Sequence, residues 1–132
     1  MYAFNSSTKE DVVKLNSKLE LISEIDNQQK YKFSVQAIEK GKQQIKFHLK
    51  NDINIVLEKL DVETENISQD ALVYNIPVRE KGETITLESG KELVYPIEVE
   101  LDKLTSGKYE LEVKFSAENV EVDKQTVEIV VK

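Results

Sequence analysis

Between Leu93 and Phe115 apolar and polar residues alternate in two runs. Leu93, Tyr95, Ile97, Val99 and Leu101 share one face of the first run, and Tyr109, Leu111, Val113 and Phe115 share one face of the second. A short turn ending in Ser106-Gly107-Lys108-Tyr109 separates them. A period of two with one apolar face predicts half-buried antiparallel strands. The same period begins at Tyr31, where Tyr31, Phe33, Val35 and Ala37 share a face; Lys40-Gly41-Lys42 then predicts a turn, with Ile45, Phe47 and Leu49 as the returning strand of a hairpin. After Asn51-Asp52, Ile55 and Leu57 open a third strand whose phase slips before Leu60, Val62 and Thr64, which places a β-bulge near Glu58. Leu72, Tyr74, Ile76 and Val78 predict a fourth strand, Ile85 and Leu87 a short segment, and Val127, Ile129 and Val131 the last strand.

The first thirty residues read differently. Ser7-Thr8-Lys9-Glu10 has capping-box spacing, and Val12, Leu15, Leu19 and Ile22 follow at helical intervals, so a short amphipathic helix is expected within residues 8–25. The competing reading is a strand, because Leu19, Leu21 and Ile25 also alternate and a turn at Asp26-Asn27 would pair them with the run beginning at Tyr31. Residues 1–30 are therefore read as an N-terminal extension, expected to be helical, and residues 31–132 as one β-domain. About seven to eight short strands at regular spacing, with no helices between them, predict an all-β fold, an immunoglobulin-like antiparallel β-sandwich rather than a closed barrel. In that layout the Leu93 run is strand E and the Tyr109 run strand F, in opposite sheets. Tyr109 then stands where a tyrosine corner would bind the backbone through its hydroxyl.

A length of 132 residues suits a single core. With 25 acidic against 18 basic residues the formal net charge is −7, which repels phosphate backbones and anionic lipid. No nucleic-acid partner is expected. No apolar run is long enough to span a bilayer, and Met1-Tyr2-Ala3-Phe4-Asn5 lacks the basic start and apolar stretch of a secretory signal. Membrane insertion is not expected; the location is extracellular or at the cell surface if a signal was removed, and otherwise cytoplasmic. The absence of cysteine excludes disulfides and thiolate chemistry.

The inward residues fix which side chains face out. On the run through Ile45, Lys46, His48 and Lys50 point outward, and on the Leu93 run Glu98 and Glu100 do; as neighbouring strands B and E they would lie opposite each other, each pair contributing roughly 0.2–1 kcal/mol. The other sheet carries Asp61, Glu63, Glu110, Glu112 and Glu128, diluted by Lys59, Lys108 and Lys114. Such an acidic face either keeps sheets from stacking or docks a basic partner. His48 is the only histidine, and its strand neighbours are lysines, so a catalytic triad or a histidine metal cluster has nothing to be built from. Glu98 with Glu100, and Glu110 with Glu112, share faces as glycosidase acids do, but without tryptophan no aromatic cleft accompanies them. No catalytic residue, cofactor site or metal site is therefore assigned. One loop presents a different chemistry: Val78, Arg79, Glu80 and Lys81 come after Pro77 and display a basic side chain, as the binding loops of proteinase inhibitors do.

Three stretches carry a resemblance: Ile45-Lys-Phe-His-Leu-Lys-Asn51, Ile85-Thr-Leu-Glu-Ser-Gly90 with the subsequent Tyr95-Pro-Ile97, and Leu104-Thr-Ser-Gly-Lys-Tyr109. Over the run from Tyr31 onward the chain resembles bacterial immunoglobulin-like modules. Two families share this layout, the host-binding domain of WxL-interacting cell-surface proteins and the intracellular proteinase inhibitor of bacilli; the chain departs from both in having no tryptophan. The first resemblance implies a non-catalytic binding or adhesion module that recognises a protein or a cell-wall polymer. The second implies an inhibitor acting through an exposed loop, and a structural spacer is the third expectation.

Overall fold

The computed structural model describes residues 12–47, 53–60, 69–75 and 83–132. Among them are ten strands in three sheets. The largest sheet has five strands, β1 (Val13–Ile25), β2 (Gln28–Ala37), β5 (Leu72–Tyr74), β7 (Glu92–Glu100) and β9 (Val120–Glu121), in the order β5-β7-β2-β1-β9. A three-stranded sheet contains β4 (Ile53–Lys59), β8 (Gly107–Phe115) and β10 (Gln125–Val131), in the order β10-β8-β4. The remaining two strands, β3 (Lys42–Lys46) and β6 (Thr84–Glu88), pair with each other. Every pairing is antiparallel except β1 with β9.

Alternation puts the apolar residues of each sheet into one core. Phe33, Val35, Ile97 and Val99 come from the five-stranded sheet, Leu57, Leu111, Val113 and Ile129 from the three-stranded sheet, and Ile45 and Leu87 from the β3–β6 pair. Each such side chain contributes roughly 1.5–3 kcal/mol by leaving water. Contact between the two larger layers is explicit at Tyr95 on β7 and Phe115 on β8, whose ring centroids lie 6.3 Å apart; Phe47 meets Phe115 edge-on at 6.1 Å. The molecule is thus an all-β sandwich with an immunoglobulin-like separation of successive strands. As the sequence pattern predicts, the Leu93 and Tyr109 runs lie in opposite sheets, joined through a 3-10 turn at Leu101–Lys103.

Three local expectations are corrected. Residues 13–25, expected to be helical, are strand β1; Ser7 to Glu10, which carry the capping-box spacing, lie outside the described residues. Val13 and Leu15 are buried and Leu19 packs on the core, while Lys14, Asn16 and Lys18 are exposed. The register explains the helical spacing: Leu21 faces Tyr31 and Ser23 faces Lys30, so Ile22 is an extra, exposed residue at a β-bulge. Asp26-Asn27 closes the β1–β2 hairpin, with Asp26 at φ 57°, the left-handed region that short polar residues tolerate better than bulky ones.

The hairpin expected from Tyr31 to Leu49 does not form. Beyond Ala37 the chain leaves the five-stranded sheet, turns at Gly41 with φ 96°, and pairs β3 with β6 instead. The far edge of β3 meets Asn119, whose Oδ1 accepts from the Lys46 amide at 3.0 Å and whose Nδ2 donates to the Gln44 carbonyl at 2.8 Å. The Asn119 carbonyl accepts the Val13 amide at 2.8 Å, which ties the start of β1 to the same point. The bulge expected near Glu58 is also absent, because β4 pairs with β8 in unbroken register from Ile53–Phe115 to Lys59–Tyr109.

Candidate functional site

The outward face of the three-stranded sheet is organised by its central strand, β8. Tyr109 points inward at the start of β8, and its hydroxyl donates to the Thr105 carbonyl at 2.8 Å, with Thr105 Oγ1 at 3.0 Å. Lys59 Nζ donates to Thr105 Oγ1 at 2.9 Å and lies 5.8 Å from the centre of the Tyr109 ring. This corner anchors β8 beside β4 and fixes its phase. With Tyr109, Leu111, Val113 and Phe115 inside, Lys108, Glu110, Glu112 and Lys114 must face out.

The registers of both ladders then bring three carboxylates into one row. Glu58 on β4 is directly opposite Glu110, and Glu110 is directly opposite Glu128 on β10. The next row reads Val56, Glu112 and Thr126. Glu112 is held by Lys124 at 3.5 Å, whereas Glu58, Glu110 and Glu128 form no ion pair with a described residue. Like charges directly opposite on a sheet destabilise it by some tenths of a kcal/mol to about 1 kcal/mol per pair. The row is therefore a local electrostatic cost, concentrated on one exposed surface.

Of the acidic residues singled out in the sequence, Glu110, Glu112 and Glu128 come together here, while Asp61 and Glu63 lie outside the described residues. Placing a bulge near Glu58 leaves that residue out of the face; the unbroken ladder puts it in. The signal was the alternation of Ile53, Ile55 and Leu57, which continues without a slip as far as Lys59. Val78, Arg79, Glu80 and Lys81 also lie outside the described residues.

The basic and acidic rows expected on neighbouring strands are not formed. Because β3 leaves the five-stranded sheet, Lys46 faces Thr84 across β6 and approaches Glu118 at 3.4 Å, while His48 and Lys50 lie outside the described residues. Glu98 instead faces Lys30 and accepts a 2.8 Å hydrogen bond from Gln28 Nε2. Glu100 faces Gln28 and pairs with Lys103 at 3.0 Å, which raises the pKa of that ammonium group through the hydrogen bond and the charge of Glu100.

At the Asp26-Asn27 end of the sandwich a polar chain enters the core. The Tyr31 hydroxyl donates to Gln29 Oε1 at 2.7 Å, and Gln29 Nε2 donates to Glu24 Oε2 at 3.1 Å. Burial, reinforced by the Glu24 charge, pushes the Tyr31 phenol up to about 12. An open concavity of about 420 Å³ lies nearby, lined in part by Glu24, Asp26, Asp102 and Val130. Among the described residues no three His, Cys, Asp or Glu side chains are grouped so as to hold a metal ion.

No family model matches the chain, and no curated protein matches it. Two solved structures of the β-glucosidase from Kluyveromyces marxianus are similar in part. The selenomethionine-labelled form has a TM-score of 0.48 and 12% identity over 91% of this chain; the glucose complex has a TM-score of 0.45 and 15% identity over 88%. In both cases this chain spans only 14% of the length of the β-glucosidase chain.

Proposed function

We propose that this protein is a non-catalytic binding module of a bacterial surface or secreted protein, and that it docks a protein partner bearing a basic surface on the outward face of β4, β8 and β10. The observation that carries this reading is the Glu58–Glu110–Glu128 row. A sandwich needs no such row for its core, since any outward polar residue satisfies the pleat. A basic surface laid across the row would relieve two carboxylate–carboxylate oppositions at once. Complementary charge would also speed encounter, an effect that salt weakens.

The test is an NMR titration of the labelled protein with a lysine-rich peptide, run in parallel on wild type and the Glu58→Gln/Glu110→Gln/Glu128→Gln variant. Shift changes confined to outward residues of β4, β8 and β10, reduced by added salt and absent in the variant, are expected. Diffuse changes, or equal binding by the variant, would sink the proposal, as would binding of purified cell-wall polymer alone.

A further inference from the structure

The sheet edges of this sandwich are not equally protected. The five-stranded sheet ends on β5, of three residues, and on β9, of two, both too short to template a neighbouring strand. The three-stranded sheet ends on one side at β10, a seven-residue strand reading Gln-Thr-Val-Glu-Ile-Val-Val. It contains no proline or glycine, it is rich in β-branched residues, and its ladder to β8 runs from Gln125–Val113 to Val131–Gly107 without a bulge. Of the usual devices that discourage strand addition it has one charged side chain, Glu128, and neither a proline nor a bulge.

Only the beginning of this edge is covered. Gln125 Nε2 donates to the Ser17 Oγ at 2.8 Å, and Ser17 Oγ donates to the Asp123 carbonyl at 2.7 Å. From Glu128 onward no described residue outside β8 hydrogen-bonds to the β10 backbone, and Val130 is 55% exposed.

We propose that residues 128–132 pair antiparallel with the same residues of a second copy of this chain, about a twofold axis at Val130. The choice of register rests on charge. Centring on Glu128 would oppose two carboxylates and lengthen the acidic row. Centring on Ile129 would set Glu128 against the partner's Val130. Centring on Val130 sets Glu128 against the partner's Lys132, Ile129 against the partner's Val131, and Val130 against the partner's Val130. Residues directly opposite share a face, so the Glu58–Glu110–Glu128 row then ends on an ammonium group instead of on open solvent. The covered beginning of β10 stays outside the contact. The interface is isologous, closes at two copies, and joins the two three-stranded sheets into one continuous sheet. It is small, so the dimer is a weak one. The association needs no basic partner and is measured on the protein alone, so its failure is separate from failure of the docking face.

Sedimentation equilibrium from micromolar to millimolar protein reads the association directly. A monomer–dimer equilibrium is expected. Val130→Lys, at an exposed position, should abolish it while leaving the urea midpoint of the fold unchanged. Glu128→Lys should weaken dimerisation about tenfold, and Glu128→Lys combined with Lys132→Glu should restore it. A protein that stays monomeric throughout, a dimer indifferent to Val130→Lys, or a charge swap no tighter than the single variant would each overturn the proposal.

Discussion

The Tyr109 hydroxyl hydrogen-bonds the Thr105 carbonyl at 2.8 Å, four residues upstream, at the point where the chain has crossed from β7 to β8. The bond fixes the central strand of the three-stranded sheet against the turn that precedes it, alongside the Lys59 Nζ bond to Thr105 Oγ1 and the Leu104 amide bond to the Leu101 carbonyl. Removing the hydroxyl in Tyr109→Phe should cost about 1 kcal/mol, in the range of a single net hydrogen bond. Thr105→Val keeps the carbonyl and loses only the hydroxyl contacts to Lys59 and Tyr109, so its cost should be smaller. Urea unfolding of the two variants checks the order; a larger loss for Thr105→Val would show that the side chain, not the carbonyl, holds the corner.

Alkaline pH should act on the Tyr31 phenol. Its folded pKa is about 12, above the ordinary value of 10.0. The folded state thus keeps a proton that the unfolded chain gives up. The contribution is fully present below the unfolded value and is lost as pH rises through the window from about 10 to about 12. Lysines and other tyrosines titrate in the same window, so the useful quantity is the difference between wild type and Tyr31→Phe. Stability measured at several pH values should show the two proteins converging as pH rises through that window; parallel curves would contradict the assignment.

Glu110 faces a carboxylate on each side. Glu110→Lys turns two repulsive oppositions into attractive ones and should stabilise the fold by about 0.5–1 kcal/mol at low ionic strength. The gain should shrink with added salt, because Glu58 and Glu128 are exposed and Glu110 is only half-buried, so solvent ions screen the row. Thermal melts of both proteins over a salt series provide the measurement, and a salt-independent difference would argue for a packing effect instead.

Among the described residues Asp26 is the only one other than glycine with positive φ. Asp26→Gly should be neutral or stabilising by up to about 1 kcal/mol, because the folded strain removed outweighs or balances the added freedom of the unfolded chain. Asp26→Val should destabilise by more than that, since a β-branched side chain tolerates this region poorly. Urea midpoints of the pair decide it.

Much of the sandwich was legible because an alternating pattern directly encodes which face of a strand is wet. The faces of β2, β7, β8 and β10 can be read from Tyr31, Tyr95, Tyr109, Ile129 and their alternate neighbours. Two things escaped the pattern for physical reasons. One is which strands pair: alternation places Ile45 and Phe47 inside but carries no information that Lys46 meets Asn119 and Thr84 rather than a residue of β2. The other is a bulge. In β1 the extra Ile22 gives a strand the spacing of a helix, whereas in β4 a slip inferred beyond Leu57 concealed Glu58, the residue that completes the acidic row. The row itself depends on register across two ladders, and no single strand's sequence contains it.

Asn119 imposes an order on events in time. Its side-chain amide behaves as a detached peptide unit that finishes the edge of β3, 73 and 75 residues earlier in the chain, and its carbonyl receives the amide of Val13. The β1–β2 hairpin, closed by a two-residue turn, can form as soon as it is synthesised. Its attachment to the rest must wait, because Ser17 meets Asp123 and Gln125 across separations of 106 and 108 residues. A newly made chain therefore passes through a long interval with β3 and the outer side of β1 unsealed, and the closing step is slow in the manner of folds dominated by distant pairings. The residues from Asn119 to Gln125 thus act as a latch on β1 and β3.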